Sequence, residues 1–179
     1  MILERKTVLR TFFTATSTLL VAACSTLPGG EGSGNSEEAA LLPLKGKTAI
    51  HQWRIDGVNL FVCSRDKKGF YWRFINTSGK LTNEKAEPIA ELLPRSRLVT
   101  KSGTHIELRS PTLIERRGST NLPDVLFEAQ TYTNEPAYKG VLYITRRAAE
   151  GGIPADGCSA GQAGQQLRVR YQARMTLWR

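Results

Sequence analysis

Residues 167–177 read LRVRYQARMTL, a strict alternation of apolar and polar side chains close to the C-terminus. A period of two places successive side chains on opposite faces of a strand, so the pattern predicts a half-buried antiparallel strand. The polar positions include the arginines of a candidate anion-binding face: Arg168, Arg170 and Arg174. The alternative for this face is an ordinary solvated surface.

Similar extended runs, rich in aromatic and β-branched residues, fill most of the chain upstream. We place them at residues 49–55, 58–63, 70–74, 98–101, 103–108, 112–116, 125–133 and 140–146. Asp56-Gly57 reads as a tight turn, residues 81–93 as one short helix before Pro94, and residues 151–164 as a glycine-rich loop. Together these elements predict an all-β protein: an antiparallel β-barrel or sandwich of about eight short strands with at most one or two short helices.

The N-terminal segment, residues 1–23, reads as an export signal. Three basic residues precede an uncharged stretch that is too short to cross ~30 Å of hydrocarbon with comfortable flanks. It ends Val21-Ala22-Ala23-Cys24, which resembles the lipobox of bacterial lipoproteins, and Cys24 would receive the lipid. Ser25 in the next position resembles lipoproteins sorted to the outer membrane. We therefore expect an outer-membrane lipoprotein that faces the periplasm or the surface and touches the membrane through its lipid; the alternative is an ordinary secretory signal.

The composition divides the rest into two parts. Residues 24–40 contain the lipidated cysteine and a tether rich in Gly, Ser and Glu, in which we expect nothing to pack. Residues 41–179 form a single β-rich domain, large enough for one core. This domain has 22 basic and 12 acidic residues, a net charge of +10. An envelope polyanion is thus a candidate partner, with plain solubility as the alternative explanation.

Two cysteines remain once Cys24 carries the lipid. Cys63 and Cys158 have only one intramolecular pairing in an oxidising compartment, and neither belongs to a C-x-x-C motif. A structural disulfide is the favoured prediction, provided that the fold brings the two Cα atoms close enough.

One short motif carries side chains that are capable of chemistry. Thr104, His105 and Glu107 form a candidate ligand site, and His105 with a carboxylate, Glu107 or Glu115, is the arrangement an enzyme would use. The favoured alternative is a sheet histidine that hydrogen-bonds its neighbours. Two histidines and no spare cysteine predict no metal site, and the absence of a P-loop pattern leaves no cofactor and no catalytic residue to name.

Five blocks of sequence, in order over roughly residues 47–178, resemble a secreted family found in bacteria and fungi, domain-of-unknown-function family 3455. The blocks are Phe61-Val62-Cys63, Tyr71-Trp72-Arg73-Phe74, Gly103-Thr104-His105 with Ser110-Pro111, residues 140–146 with residues 151–158, and residues 168–173. The family has Gly and Trp where this chain has Ser110 and Leu113. The resemblance implies a Cys63–Cys158 disulfide and no particular activity.

The favoured function is a non-enzymatic binding module for an envelope component, an anionic polymer or a protein partner. The alternatives are an enzyme that acts on a surface polymer through His105, and a protein inhibitor. No feature predicts specific nucleic-acid binding, and the oligomeric state stays open.

Overall fold

The computed structural model describes residues 34–179, so the predicted signal peptide, Cys24 and the first part of the predicted tether lie outside the described residues. Eight strands follow one helix, α1 (Gly34–Leu41). The strands are β1 (Ala49–Asp66), β2 (Gly69–Thr82), β3 (Pro88–Leu93), β4 (Arg97–Thr100), β5 (His105–Glu115), β6 (Asp124–Tyr132), β7 (Tyr143–Gly151) and β8 (Gln166–Trp178). Each strand pairs antiparallel with the next, and β8 pairs with β1, which closes the sheet into a barrel. The prediction of an all-β barrel or sandwich is confirmed.

Alternation along the strands separates the barrel interior from its surface. In β8 the side chains of Tyr171, Ala173, Met175 and Leu177 are buried, whereas Arg168, Arg170 and Arg174 are exposed. The interior residues of all strands build the main hydrophobic core, in which Ile55, Leu98, Ile106 and Ile144 are fully buried.

The predicted turn at Asp56-Gly57 is wrong, because both residues lie in the middle of the 18-residue β1. Asp56 pairs with Gln172 on one side and Lys80 on the other, and Gly57 pairs with Tyr171 and Gly79. Glycine is needed here for space: a Cβ on Gly57 would lie 2.3 Å from Cζ of Tyr171.

The predicted helix over residues 81–93 is also wrong. Asn83 closes a turn instead, because its side-chain oxygen accepts hydrogen bonds from the backbone N–H of Lys85 and Glu87, each at 3.0 Å. The chain then enters β3, where Ala90 and Leu92 are buried and Glu91 is exposed. That period-two burial belongs to a strand.

Two further boundaries differ from the sequence prediction. The two strands predicted over residues 103–108 and 112–116 are one strand, β5 (His105–Glu115), in which the register shifts between Arg109 and Thr112 and Ser110 has a positive φ of 45°. The strand predicted over residues 140–146 instead begins at Tyr143 and continues to Gly151.

The last part of the predicted tether packs on the barrel. Residues 34–41 form α1, and Ala40 is buried against Ile114 and Leu126 on the outside of the sheet. Glu37 accepts a 2.6 Å hydrogen bond from Nη2 of Arg147. The expectation that residues 24–40 pack against nothing is therefore wrong from Gly34 onward, and the folded part starts before residue 41.

The described residues all belong to one compact unit that contains the closed sheet, both hydrophobic clusters and the disulfide. A closed barrel leaves no free strand edge to be completed by another segment. All eight strands of the closed barrel lie within the described residues 34–179.

Candidate ligand site in the barrel interior

The barrel is filled with side chains at one end and holds a cavity toward the other. At the filled end Tyr138 contacts His51 and Trp53, with ring centroids 5.2 and 5.9 Å away. Toward the other end lies a half-open cavity of about 440 Å³. Small-molecule sites commonly have volumes of about 300–1,000 Å³, so the cavity can hold one small ligand.

The cavity wall is mostly apolar because inward positions of several strands converge on it. The apolar lining includes Ile55, Phe61, Leu92, Val125, Phe127 and Met175. Phe74 lies at the mouth: its side chain is 51% exposed and it packs edge-on against Phe61, with centroids 5.7 Å apart. An exposed aromatic side chain beside an apolar cavity provides a contact surface for an apolar ligand.

Four uncharged polar side chains interrupt the apolar wall, and the lining includes no carboxylate: Asn59, Thr77, Ser96 and Tyr171. Asn59 is buried and its side-chain amide donates to the carbonyl of Gly152 at 2.8 Å. The hydroxyls of Thr77 and Tyr171 share a hydrogen bond of 3.0 Å. Burial raises the pKa of Tyr171 above that of an ordinary phenol, and the Thr77 hydrogen bond and the Arg146 charge offset part of that rise. Tyr171 is thus a neutral hydroxyl at physiological pH.

Arg146 is the charged residue of the cavity lining. It lies two residues after the core residue Ile144 in β7, so its side chain points to the interior. Nη2 donates to the carbonyl of Pro123 at 3.1 Å, and Cζ lies 5.8 Å from the centre of the Phe127 ring. Nε is buried and has no hydrogen-bond partner among the described residues. Burial lowers the pKa of this guanidinium from that of a solvated arginine, and the electrostatic influence of Tyr171 and Asp124 offsets part of the decrease.

The nearest buried carboxylate, Asp124, already has its own partners. Oδ2 accepts from Nη2 of Arg117 at 2.9 Å and from Nε of Arg147 at 3.3 Å. Oδ1 accepts from the backbone N–H of Ala148 at 2.9 Å. Within the described part of the chain, Arg146 forms no ion pair. It enters the cavity as a cation without a carboxylate.

The structure does not bring the predicted ligand site together. Thr104 is buried. Its hydroxyl forms a hydrogen bond with the hydroxyl of Thr133 at 2.6 Å and donates to Oε1 of Glu135 at 2.9 Å. His105 is exposed on the outer surface of β5, and Glu107 is engaged by Arg109. A residue on each side of the sheet cannot contact one small ligand, so Thr104, His105 and Glu107 do not form a joint site.

The predicted basic face does occur as an exposed surface. Arg168, Arg170 and Arg174 project outward from β8, and Arg54 of β1 lies directly opposite Arg174. None of these four forms an ion pair with a described residue. Like charges directly opposite each other repel, which leaves this face available to an anion.

Cys63 and Cys158 form the predicted disulfide, with their Cα atoms 5.9 Å apart. The bridge fastens the glycine-rich loop to the C-terminal part of β1. The backbone N–H of Gly164 donates to the carbonyl of Cys63 at 2.9 Å and holds the same loop.

Sequence reasoning missed Arg146 although a signal was present. Ile144 and Arg146 are two residues apart in an apolar strand, which places the arginine on the core face. A cation on the core face with no adjacent acidic residue is the pattern that predicts a charged interior group.

Between Gly34 and Arg179 no group of three His, Cys, Asp or Glu residues has metal-site geometry. Over the same residues no helix has the length and apolarity to span a membrane. Comparisons with protein-family models, with curated proteins and with solved structures returned no match for this chain.

Proposed function

We propose that this protein is an envelope lipoprotein whose barrel binds a small apolar molecule, a binding module and not an enzyme. The observation that carries the proposal is the cavity of about 440 Å³ with its apolar wall and exposed aromatic mouth. A ligand that removes the apolar wall from water lowers the free energy by about 25 cal/mol per Å² of apolar surface buried. The wall thus favours an apolar ligand over a polar one.

The chemistry of the lining supports binding over catalysis. Its residues include no histidine, cysteine, lysine or carboxylate. The lining hydroxyls of Thr77, Ser96 and Tyr171 therefore have no such group beside them among the lining residues to act as the base that activates a hydroxyl nucleophile. The enzyme alternative built on His105 requires a carboxylate beside it, and Glu107 is bound to Arg109 instead.

The location in the envelope rests on the N-terminal sequence. The basic start, the uncharged stretch, the Val21-Ala22-Ala23-Cys24 lipobox and Ser25 support an outer-membrane lipoprotein anchored through Cys24. The resemblance to domain-of-unknown-function family 3455 supports a secreted protein. Labelled palmitate should enter the full chain and be lost in Cys24→Ser; a labelled Cys24→Ser protein would contradict the lipoprotein assignment.

The cavity is tested with a neutral apolar fluorophore, N-phenyl-1-naphthylamine, added to detergent-free residues 25–179. Its emission should rise and saturate at one site per chain. Phe74→Ala, at the mouth, should weaken binding several-fold, whereas Ile75→Ala should not, because Ile75 is exposed but does not line the cavity. No saturable signal, or equal effects of the two variants, would contradict the proposal.

The exposed arginines support a second candidate function, binding of an anionic envelope polymer on the outer face of β8. The supporting observation is that Arg54 and Arg174 face each other with no acidic partner. This site is separate from the cavity, since Arg174 points outward and its neighbours Ala173 and Met175 point inward.

A further inference from the structure

We infer that the molecule in the barrel carries one negative charge, a single-chain carboxylic acid whose carboxylate pairs with Arg146 and whose chain lies along the apolar wall. This inference rests on the proposed function, because it names the class of ligand for the same cavity.

Most hydrogen-bond donors of Arg146 have no partner among the described residues. A guanidinium has five N–H donors, and the protein uses one of them, from Nη2 to the carbonyl of Pro123. The Nε donor is buried without a partner. Since a charge taken out of water is unfavourable unless it is paired and hydrogen-bonded, the folded protein holds an incomplete site at Arg146.

The surroundings of Arg146 identify what completes it. The lining contains no carboxylate, and Asp124 is engaged by Arg117, Arg147 and a backbone N–H. The protein itself therefore offers no anion to this guanidinium. An anionic ligand group fills that role, and a carboxylate matches the guanidinium because it accepts two parallel hydrogen bonds.

The hydroxyl pair of Thr77 and Tyr171 adds a neutral donor. In the hydrogen bond between Thr77 and Tyr171 one hydroxyl donates, so the proton of the other remains free for a third group. Both residues line the same cavity as Arg146. One cation and one free hydroxyl provide for one monoanion; a phosphate dianion or a second acid would lack a second cation among the lining residues.

The rest of the lining describes the remainder of the ligand. Beyond Arg146, Asn59, Thr77, Ser96 and Tyr171, the lining side chains are apolar, and the mouth is aromatic. The apolar side chains have no donor or acceptor for the several hydroxyls of a sugar, and the polar groups are too few to satisfy them all. They suit an unbranched hydrocarbon chain, whose far end leaves past Phe74.

Competition of two ligands of the same chain length tests the inference. Dodecanoate and 1-dodecanol are each titrated, below their micelle-forming concentrations, into residues 25–179 loaded with N-phenyl-1-naphthylamine. We expect dodecanoate to bind about tenfold or more tightly than dodecanol, the gain typical of a hydrogen bond to a charged group. Arg146→Gln should remove that difference, and the matched control Arg168→Gln, which removes an exposed arginine, should keep it.

The outcomes separate the two claims. Equal affinity of the wild-type chain for the acid and the alcohol would overturn the assignment of a carboxylate and leave the apolar cavity intact. This comparison needs only the wild-type chain, so it tests the carboxylate even if Arg146→Gln does not fold. A preference for the acid that persists in Arg146→Gln would show that another group recognises the charge. If the fluorophore binds but neither dodecanoate nor dodecanol displaces it, hydrocarbon chains are excluded as the ligand class. If the fluorophore does not bind at all, the proposed function is overturned.

Discussion

The ring of Tyr171 lies directly on the α-carbon of Gly57, its partner in the neighbouring strand. A Cβ at Gly57 would be 2.3 Å from Cζ and 2.6 Å from the hydroxyl oxygen of Tyr171. The missing side chain lets the ring cross β1 and reach Thr77 on β2, where the hydroxyls bond at 3.0 Å. The pair thus builds the part of the cavity wall that carries the free hydroxyl.

Gly57→Ala should therefore destabilise the barrel. The added methyl group forces the ring of Tyr171 or the strand to move, and overpacking of this kind costs about 1–3 kcal/mol of unfolding free energy. Denaturant unfolding measures the loss. The matched control is Gly157→Ala, which has open space around it and an ordinary φ. Equal stability of the two variants would show that the Tyr171 ring does not occupy this position.

Alkaline pH should weaken the fold through Tyr171. Burial raises the pKa of its phenol in the folded state, so the neutral form is favoured by folding. The stability from this group is complete below the unfolded value of about 10 and is lost as the pH rises through the folded pKa. Urea unfolding between pH 8 and pH 11 should show the decline.

Tyr171→Phe provides the comparison for this decline. It loses the hydrogen bond to Thr77 but has no phenol to titrate, and Tyr138, whose pKa is also raised by burial, is common to both proteins. The stability difference between wild type and variant should narrow as the pH rises past about 10. A constant difference would contradict the burial of the phenol.

The disulfide should stabilise the mature protein. The bridge spans 95 residues of sequence, and removal of such a bridge from a small secreted domain typically costs about 2–5 kcal/mol. Cys63→Ser/Cys158→Ser should lose stability in this range by urea unfolding. Thiol titration of denatured, unreduced residues 25–179 should find no free thiol; two reactive thiols per chain would refute the bridge.

The exposed arginines of β8 should contribute to the binding of polyanions and not to the free energy of unfolding. Replacing Arg168, Arg170 and Arg174 by Gln should leave the unfolding free energy within about 1 kcal/mol, because they are exposed and unpaired. If the face binds an anionic polymer, binding to lipopolysaccharide vesicles should weaken and depend less steeply on salt.

The control for this face removes the same charge elsewhere on the surface, with Gln at the exposed positions Lys67, Lys68 and Lys101. Equal salt slopes for the two triple variants would mean that only net charge is sensed. The second candidate function would then be rejected, while the cavity would be unaffected.

The sequence was sufficient for the fold class because alternation in a half-buried strand is a local signal. The arginines and core residues of β8 could be assigned to opposite faces for this reason. Turn signals were less reliable. Asp56-Gly57 in isolation is a strong hairpin signal, but Gly57 instead leaves space for the ring of Tyr171, which is 114 residues away in sequence. Only the closed barrel brings Tyr171 to that position.

The cavity itself could not be predicted from the sequence. The cavity lies between side chains of several strands, including Phe61, Phe127 and Met175. Such a space depends on how distant strands pack, so no local sequence pattern predicts it. The candidate site around His105 was chosen for its chemistry within one short segment. Strand geometry then placed His105 and Thr104 on opposite sides of the sheet, which a linear motif does not show.

One methyl signal tests the account most directly. Met175 is the only methionine after Met1, and it is buried in the cavity lining. Residues 25–179 with ¹³C-methyl-labelled methionine should give one structured methyl resonance, distinct from that of an added initiator residue. Addition of dodecanoate should shift this resonance and saturate at one equivalent, and Arg146→Gln should require a higher concentration. A Met175 resonance that does not move at saturating dodecanoate would contradict a ligand inside the barrel.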